Sequence, residues 1–468
     1  MVFGKRQNGG NMSSTQDRET LLATKKIGPL LFEMALPTIT AQLINLLYNL
    51  VDRIYIGHME GDGALALTGL GVTLPVIMLI SAFAGLIGYG GAPRAAICLG
   101  KGEHDKAEEI LGNCVTAIVL IALGLTAIAS VWKEPLLLLF GASSETLPYA
   151  SDYIGIYLLG TIFVQTALGL NMFITSQGFA GTSMLTVLIG AVFNIILDPI
   201  LIYGMDMGVK GAALATIISQ GVSAVWVVRF LSGKKTVLKI KRKYLRMRRE
   251  VLLPVMALGI SPFVMMSTES LLSVSFNTSL LKYGGDLAVG AMTILSSMMQ
   301  FAMLPMQGLT QGMQPIVSFN YGAGNAGRVR GAFRLTLLCA LAYTTALWAV
   351  SMTVPELIAG AFTSEPELIS YAAWALRIYM ATSFLLGAQN ACQQTFLALG
   401  NAKVSLFLAL LRKIILLIPL IYILPNFFED KVFAVFLAEP VADSIAVATT
   451  LTMFFFTFRK MMAEIEGK

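Results

Sequence analysis

A carboxylate within an apolar stretch is costly, so the few in this 468-residue chain are where chemistry would sit. Asp198 lies in Asn194-Ile-Ile-Leu-Asp198-Pro199. Asn194, four residues earlier, shares its helical face and could hydrogen-bond it. Pro199 has no N–H to donate and loosens the helix beside the carboxylate. Such a group could carry a proton or bind a cation; the plainer alternative is a tie between a kinked helix and its neighbour. Glu269 stands beside Met265, Met266, Ser267, Thr268 and Ser270. It could exchange a proton or, if near Asp198, hold Na⁺ with hydroxyl and carbonyl oxygens. Its plainer reading is a helix-to-helix hydrogen bond.

Glu439 and Asp443 are four apart on one face, next to Pro440. Arg412 and Lys413 fall about 12–14 Å into their apolar segment, where they would snorkel or pair with Asp443. Arg377, near a segment end, is expected to snorkel. The soluble catalytic signatures are missing: the sequence has no HExxH, no nucleophile elbow and no phosphate loop. The two histidines, His58 and His104, are far apart, and the four cysteines form no CxxC. These features predict no enzyme, no metal site and no cofactor, with the cysteines as packing residues.

The segments that must position these groups are apolar. The chain is 56% hydrophobic and 13% charged, with a mean hydropathy of +0.74. Runs of about twenty apolar residues are long enough to cross about 30 Å of hydrocarbon as helix. Twelve spans are expected near 28–51, 66–90, 107–131, 150–174, 184–204, 211–231, 251–281, 287–312, 331–353, 371–397, 404–424 and 432–458. Gly61-Asp62-Gly63, Gly100-Lys101-Gly102, Gly204, Gly284-Gly285 and Gly322-Ala323-Gly324 supply turns between them. Residues 1–26 are polar, and the first apolar run exceeds signal-peptide length, so it reads as a retained span.

With twelve spans and the N-terminus inside, 25 lysines and arginines fall on the inner side and five on the outer. That asymmetry places both termini in the cytoplasm. It also explains the net charge of +6 without nucleic acid. The basic stretch from Gly233 to Glu250 reads as a cytoplasmic linker on anionic headgroups.

One ungapped offset of 222 residues relates the two halves. Ala35-Leu36 recurs as Ala257-Leu258, Gly90 and Pro93 as Gly312 and Pro315, and Gly100 and Gly102 as Gly322 and Gly324. Ile156-Tyr157 recurs as Ile378-Tyr379, and Gly178 as Gly400. Six spans per copy is an even number, so the copies enter the membrane in the same sense as a parallel repeat. The expected organisation is a tail over 1–27, a six-helix lobe over 28–232, the linker over 233–250, a second lobe over 251–458 and a tail over 459–468. The charged residues do not repeat: Asp198 matches Leu420 and Glu269 matches Leu47.

Several segments resemble the multidrug and toxic compound extrusion (MATE) family, in its bacterial drug-efflux branch. They are Ala35-Leu36-Pro37, Tyr48-Asn49-Leu50-Val51-Asp52, Asn194 through Gly204, and Gly208-Val-Lys-Gly211-Ala-Ala-Leu-Ala-Thr216. The resemblance implies two six-helix bundles arranged as a V, in a monomer of the plasma membrane. It implies export of drugs and organic cations in exchange for inward H⁺ or Na⁺. Asp52, Asn194 and Asp198 fall on family motifs, and Glu269 lies near the cation-binding acid that some members carry in span seven. The aspartate that some members place midway along span one is absent, since that stretch reads Thr38 through Asn45 without an acid. Gln42, Asn45, Met265, Met266, Met298 and Met299 are the expected cavity residues. Methionines suit a surface that accepts varied apolar shapes, and they are also ordinary packing. The rival is a flippase for a lipid-linked precursor, which would need several cations in the cavity to hold a diphosphate.

Overall fold

In the computed structural model, residues 14–59 and 63–467 are described. Residues 1–13, Glu60, Gly61-Asp62 of the first glycine turn, and Lys468 lie outside them. The described residues are helical throughout their ordered elements, with no strand. A short helix, α1 (Ser14–Thr24), precedes α2 (Ile27–Gly57), α3 (Gly63–Gly100) and α4 (His104–Leu139). Then come α5 (Leu147–Leu159), α6 (Thr161–Ser176), α7 (Ala180–Pro199) and α8 (Gly208–Leu231). The second half holds α9 (Arg249–Gly322), α10 (Ala326–Thr353), α11 (Pro355–Gly360) and α12 (Pro366–Tyr379). It closes with α13 (Leu386–Ala398), α14 (Ala402–Leu410), α15 (Ile418–Ile423) and α16 (Lys431–Glu466).

Nine helices among the described residues are long and apolar enough to cross a membrane, and eleven spans result if each bent pair counts as one. The chain is therefore a multi-pass membrane protein. The bent pairs are α5–α6, turned by 60° at Gly160, and α12–α13, turned by 51°. Backbone conformation recurs at the 222-residue offset. Gly102 and Gly324 have φ of 75° and 74°, and Gly178 and Gly400 have 86° and 74°. These left-handed values are open to glycine and strained for other residues.

Pro199 has the expected effect. The helix leaves α geometry directly after it, and Ile200–Gly204 forms a wider π turn. A second π segment, Leu411–Leu417, carries Arg412 and Lys413.

The segment between the halves is docked, not free. Its Lys241 pairs with Glu108, its Lys243 with Asp105 at 3.4 Å, and its Arg248 with Glu109 at 2.7 Å. The acidic first turns of α4 thus take three of the cations expected on headgroups.

Candidate functional site

The first half buries two carboxylates and an amide together. Asp198 is completely buried, and Asn194 and Asp52 are nearly so. α7 packs along α2 and α8, which brings Asp198 to Asp52. Asn194 Nδ2 donates to Asp198 Oδ1 at 3.3 Å, as the four-residue spacing allows. Asp52 and Asp198 are near enough for their charges to act on each other. The other oxygens are unused: Asp198 Oδ2, Asp52 Oδ1 and Asn194 Oδ1 have no donor among the described residues. Buried oxygens without donors are expensive unless a proton or cation joins them.

A cavity of about 50 Å³ adjoins this group, lined by Asn45, Tyr48, Asn171, Asn194, Thr216 and Ser219 among others. It has room for water-sized contents and polar groups to hold them. No group of three His, Cys, Asp or Glu side chains suited to a metal occurs among the described residues. Two carboxylates with amide and hydroxyl oxygens fit a proton or a hard monovalent ion better than a thiolate- or imidazole-bound metal.

Glu269 belongs to a different group. Its carboxylate pairs with Lys413 Nζ, which also donates to the Met265 backbone oxygen at 2.9 Å. Arg412 bridges Asp443 at 2.6 Å and Glu439 at 3.0 Å. The partners of Asp198 and of Glu269 do not overlap, so the two carboxylates do not build one shared ion site here. The reason is placement: Asp198 faces α2, while Glu269 faces the π segment after α14. A second, smaller cavity adjoins this group, lined by Met265, Gln389, Asn390, Gln393, Arg412 and Lys413 among others.

The remaining expected cavity residues divide. Asn45 lines the first cavity and Met265 the second. Gln42 donates instead to Gln311 at 3.2 Å, and Gln311 donates to the Tyr89 hydroxyl at 3.1 Å, a chain that ties the halves together. Met266 approaches Gly85 across the same contact. Met298 is buried in the apolar core of the second half and Met299 packs against it, so neither lines these two cavities. Arg377 pairs at the surface with Glu356. Sequence reasoning missed Tyr48 and Thr216. Both sit in recognisable motifs, but nothing in their spacing marks them as lining a cavity.

The family model MatE matches residues 37–200 and 262–423. A multidrug export protein MepA from Staphylococcus haemolyticus is 26% identical over 424 residues, 89% of this chain and 92% of that protein. A solved MATE structure in the bent conformation superposes with a TM-score of 0.88 at 22% identity, covering 98% of this chain and 99% of the other. A solved chain called protein A is 35% identical, with a TM-score of 0.85, covering 94% of this chain and 97% of that one.

Proposed function

The chain belongs to the MatE family, and from that premise we propose that it is a secondary active exporter of drugs and organic cations, driven by inward H⁺ or Na⁺ at the plasma membrane. The observation that carries the coupling is the Asp52–Asn194–Asp198 group, buried with carboxylate oxygens left open, whose Asn194 lines a small cavity. Asp198 is the primary ion-carrying group, and Glu269 belongs to a second one in the other half.

The architecture of this reading is twelve spans in two parallel six-helix lobes, with the termini and the docked linker cytoplasmic. Each bent pair then counts as one span, and α9 as two, split at Gly285 where φ is 65°. The repeated bends and left-handed glycines support it. So does the position of the closest approaches between halves. Gly90 meets the Val255 carbonyl, Gly259 the Leu86 carbonyl, and Gly312 the Ala35 backbone. All fall in the helix portions nearer the cytoplasmic end. On this reading the molecule is closed toward the cytoplasm and open outward, in the state that releases drug and receives the ion.

The driving force is adequate. A potential of 100 mV contributes about 2.3 kcal/mol per elementary charge, or about fiftyfold accumulation for each charge moved. The flippase reading fares worse, because Arg412 and Lys413 are both engaged by carboxylates and leave no free cation pair for a diphosphate.

The test is transport of ethidium in proteoliposomes under an imposed proton or Na⁺ gradient. Uptake should follow one gradient, and Asp198→Asn should abolish it while the protein stays folded. Gradient-driven transport at wild-type rate in Asp198→Asn would remove the first half's carboxylate from coupling.

A further inference from the structure

A short polar helix is ordered where its own sequence would not hold it. α1 has 11 residues, most of them polar, and an isolated helix of that length is marginal in water. Its order comes from what it touches, and it touches both halves. On the first half, the Leu22 side chain is buried against Gly178, in the turn between α6 and α7. Arg18 donates to the Gly178 carbonyl at 3.3 Å and lies 4.8 Å from the centre of the Phe179 ring. Glu19 approaches His104, the first residue of α4, at 3.5 Å. On the second half, the contacts are made by backbone. The last turn of a helix leaves carbonyls without partners inside the helix. The Leu22 carbonyl accepts from Arg328 Nη2 at 2.9 Å and from Asn320 Nδ2 at 3.0 Å. The Lys25 carbonyl accepts from the same Arg328 nitrogen at 2.8 Å. Arg328 Nε donates to Asn320 Oδ1 at 3.0 Å, which aims the guanidinium at the end of α1. A cation there also suits the negative end of the helix dipole.

We propose that α1 is a clasp that holds the cytoplasmic end of the two halves together. The proposal rests on the exporter reading, in which that end must open to take up drug. Lys25 and Lys26 alone join α1 to α2, so α1 travels with the first half when the halves part. Parting then breaks the three bonds from Asn320 and Arg328 and leaves two carbonyls to find other donors. The glycine contacts between the halves close this end by fit. α1 adds a part that can detach without disturbing any span. It sets how often the cytoplasmic end opens, a control separate from the buried carboxylates.

The test is the distance between spin labels at positions 101 and 327, exposed residues at the cytoplasmic ends of the two halves. Removal of residues 2–25 should raise the long-distance population roughly tenfold, the weight of one hydrogen bond to a charged group. Arg328→Gln should do the same in the full chain and add nothing in the shortened chain, where its partners on α1 are gone. An Arg328 that acted only through Asn320, within its own half, would have the same effect in both chains. A wild-type distance distribution in the shortened chain, or an equal effect of Arg328→Gln in both chains, would overturn the clasp. The shortened chain keeps every span, so it remains the test if Arg328→Gln fails to fold. The readout needs no drug and no gradient. A chain that opens on losing α1 but moves no ethidium would keep the clasp and lose the exporter reading.

Discussion

Gln177 fixes the segment between the halves through a single buried amide. Its Oε1 accepts from the Thr236 hydroxyl and from the backbone N–H groups of Val237 and Leu238, each at 2.8 Å. Its Nε2 donates to the Phe173 carbonyl at 2.8 Å. Gln177, Thr236 and Leu238 are all buried. Gln177→Ala strands the Val237 and Leu238 N–H groups, each at a cost of about 1–3 kcal/mol, while the Thr236 hydroxyl keeps the Leu238 carbonyl at 2.9 Å. The expected result is a loss of about 2–3 kcal/mol in detergent unfolding and faster proteolysis between residues 232 and 248; wild-type resistance to protease would count against this role. Nothing in the sequence marks Gln177, because the groups that donate to its Oε1 lie some sixty residues away. Asn194 and Asp198 were legible because four residues on a helix is a local relation. The Glu269–Lys413 pair was not, since it spans 144 residues. The pairing of Arg412 with Asp443 was open to reading only because few buried charges compete for partners.

Among the elements, α9 shows what one backbone position can do. Straight, its 74 residues would reach about 110 Å, more than three times the hydrocarbon thickness. Gly285 breaks it, with φ 65° and ψ −161°, a region open to glycine alone. The two glycines at 284–285 made this break legible, whereas the bends of the α5–α6 and α12–α13 pairs fall at Gly160 and near Thr382, without a sequence signature that sets them apart. A Cβ at Gly285 would meet nothing within 4 Å. Gly285→Ala therefore isolates the backbone cost, about 1–3 kcal/mol. A Cβ at Gly284 would instead strike the Ala288 Cβ at 2.7 Å and a Val432 methyl at 2.9 Å, so Gly284→Ala adds a packing cost. Thermal unfolding of the two variants should show both destabilised. An unchanged melting temperature in Gly285→Ala would mean that the break does not depend on glycine.

At the scale of the molecule, the halves touch through a reciprocal contact. A Cβ on Gly100 would lie 2.0 Å from the Phe319 carbonyl oxygen, and one on Gly322 would lie 2.0 Å from the Ile97 carbonyl oxygen. Gly322 is 222 residues after Gly100 and Phe319 is 222 after Ile97, so the two contacts are one contact made twice. A repeat detected by identity alone marks Gly100 and Gly322 as shared but does not show that each packs on the other copy; that follows only when the copies face each other. Neither obstacle is a flexible side chain, and packed backbones cannot absorb such an overlap locally. A methyl at either position must move the carbonyl by about 1 Å or more to reach ordinary contact. In a two-state transporter, that strain falls on the state closed at this end and favours the other. Gly100→Ala and Gly322→Ala should each lengthen the distance between spin labels at positions 101 and 325, and the double variant should do so further. Gly124, with nothing within 4 Å of its Cβ position, is the control, and Gly124→Ala should leave the distances unchanged. If Gly100→Ala kept the wild-type distance distribution, the glycine contact would not set the balance between the two states, and closure of this end would have to reside in α1, in the Gln42–Gln311–Tyr89 chain and in the side chains around it.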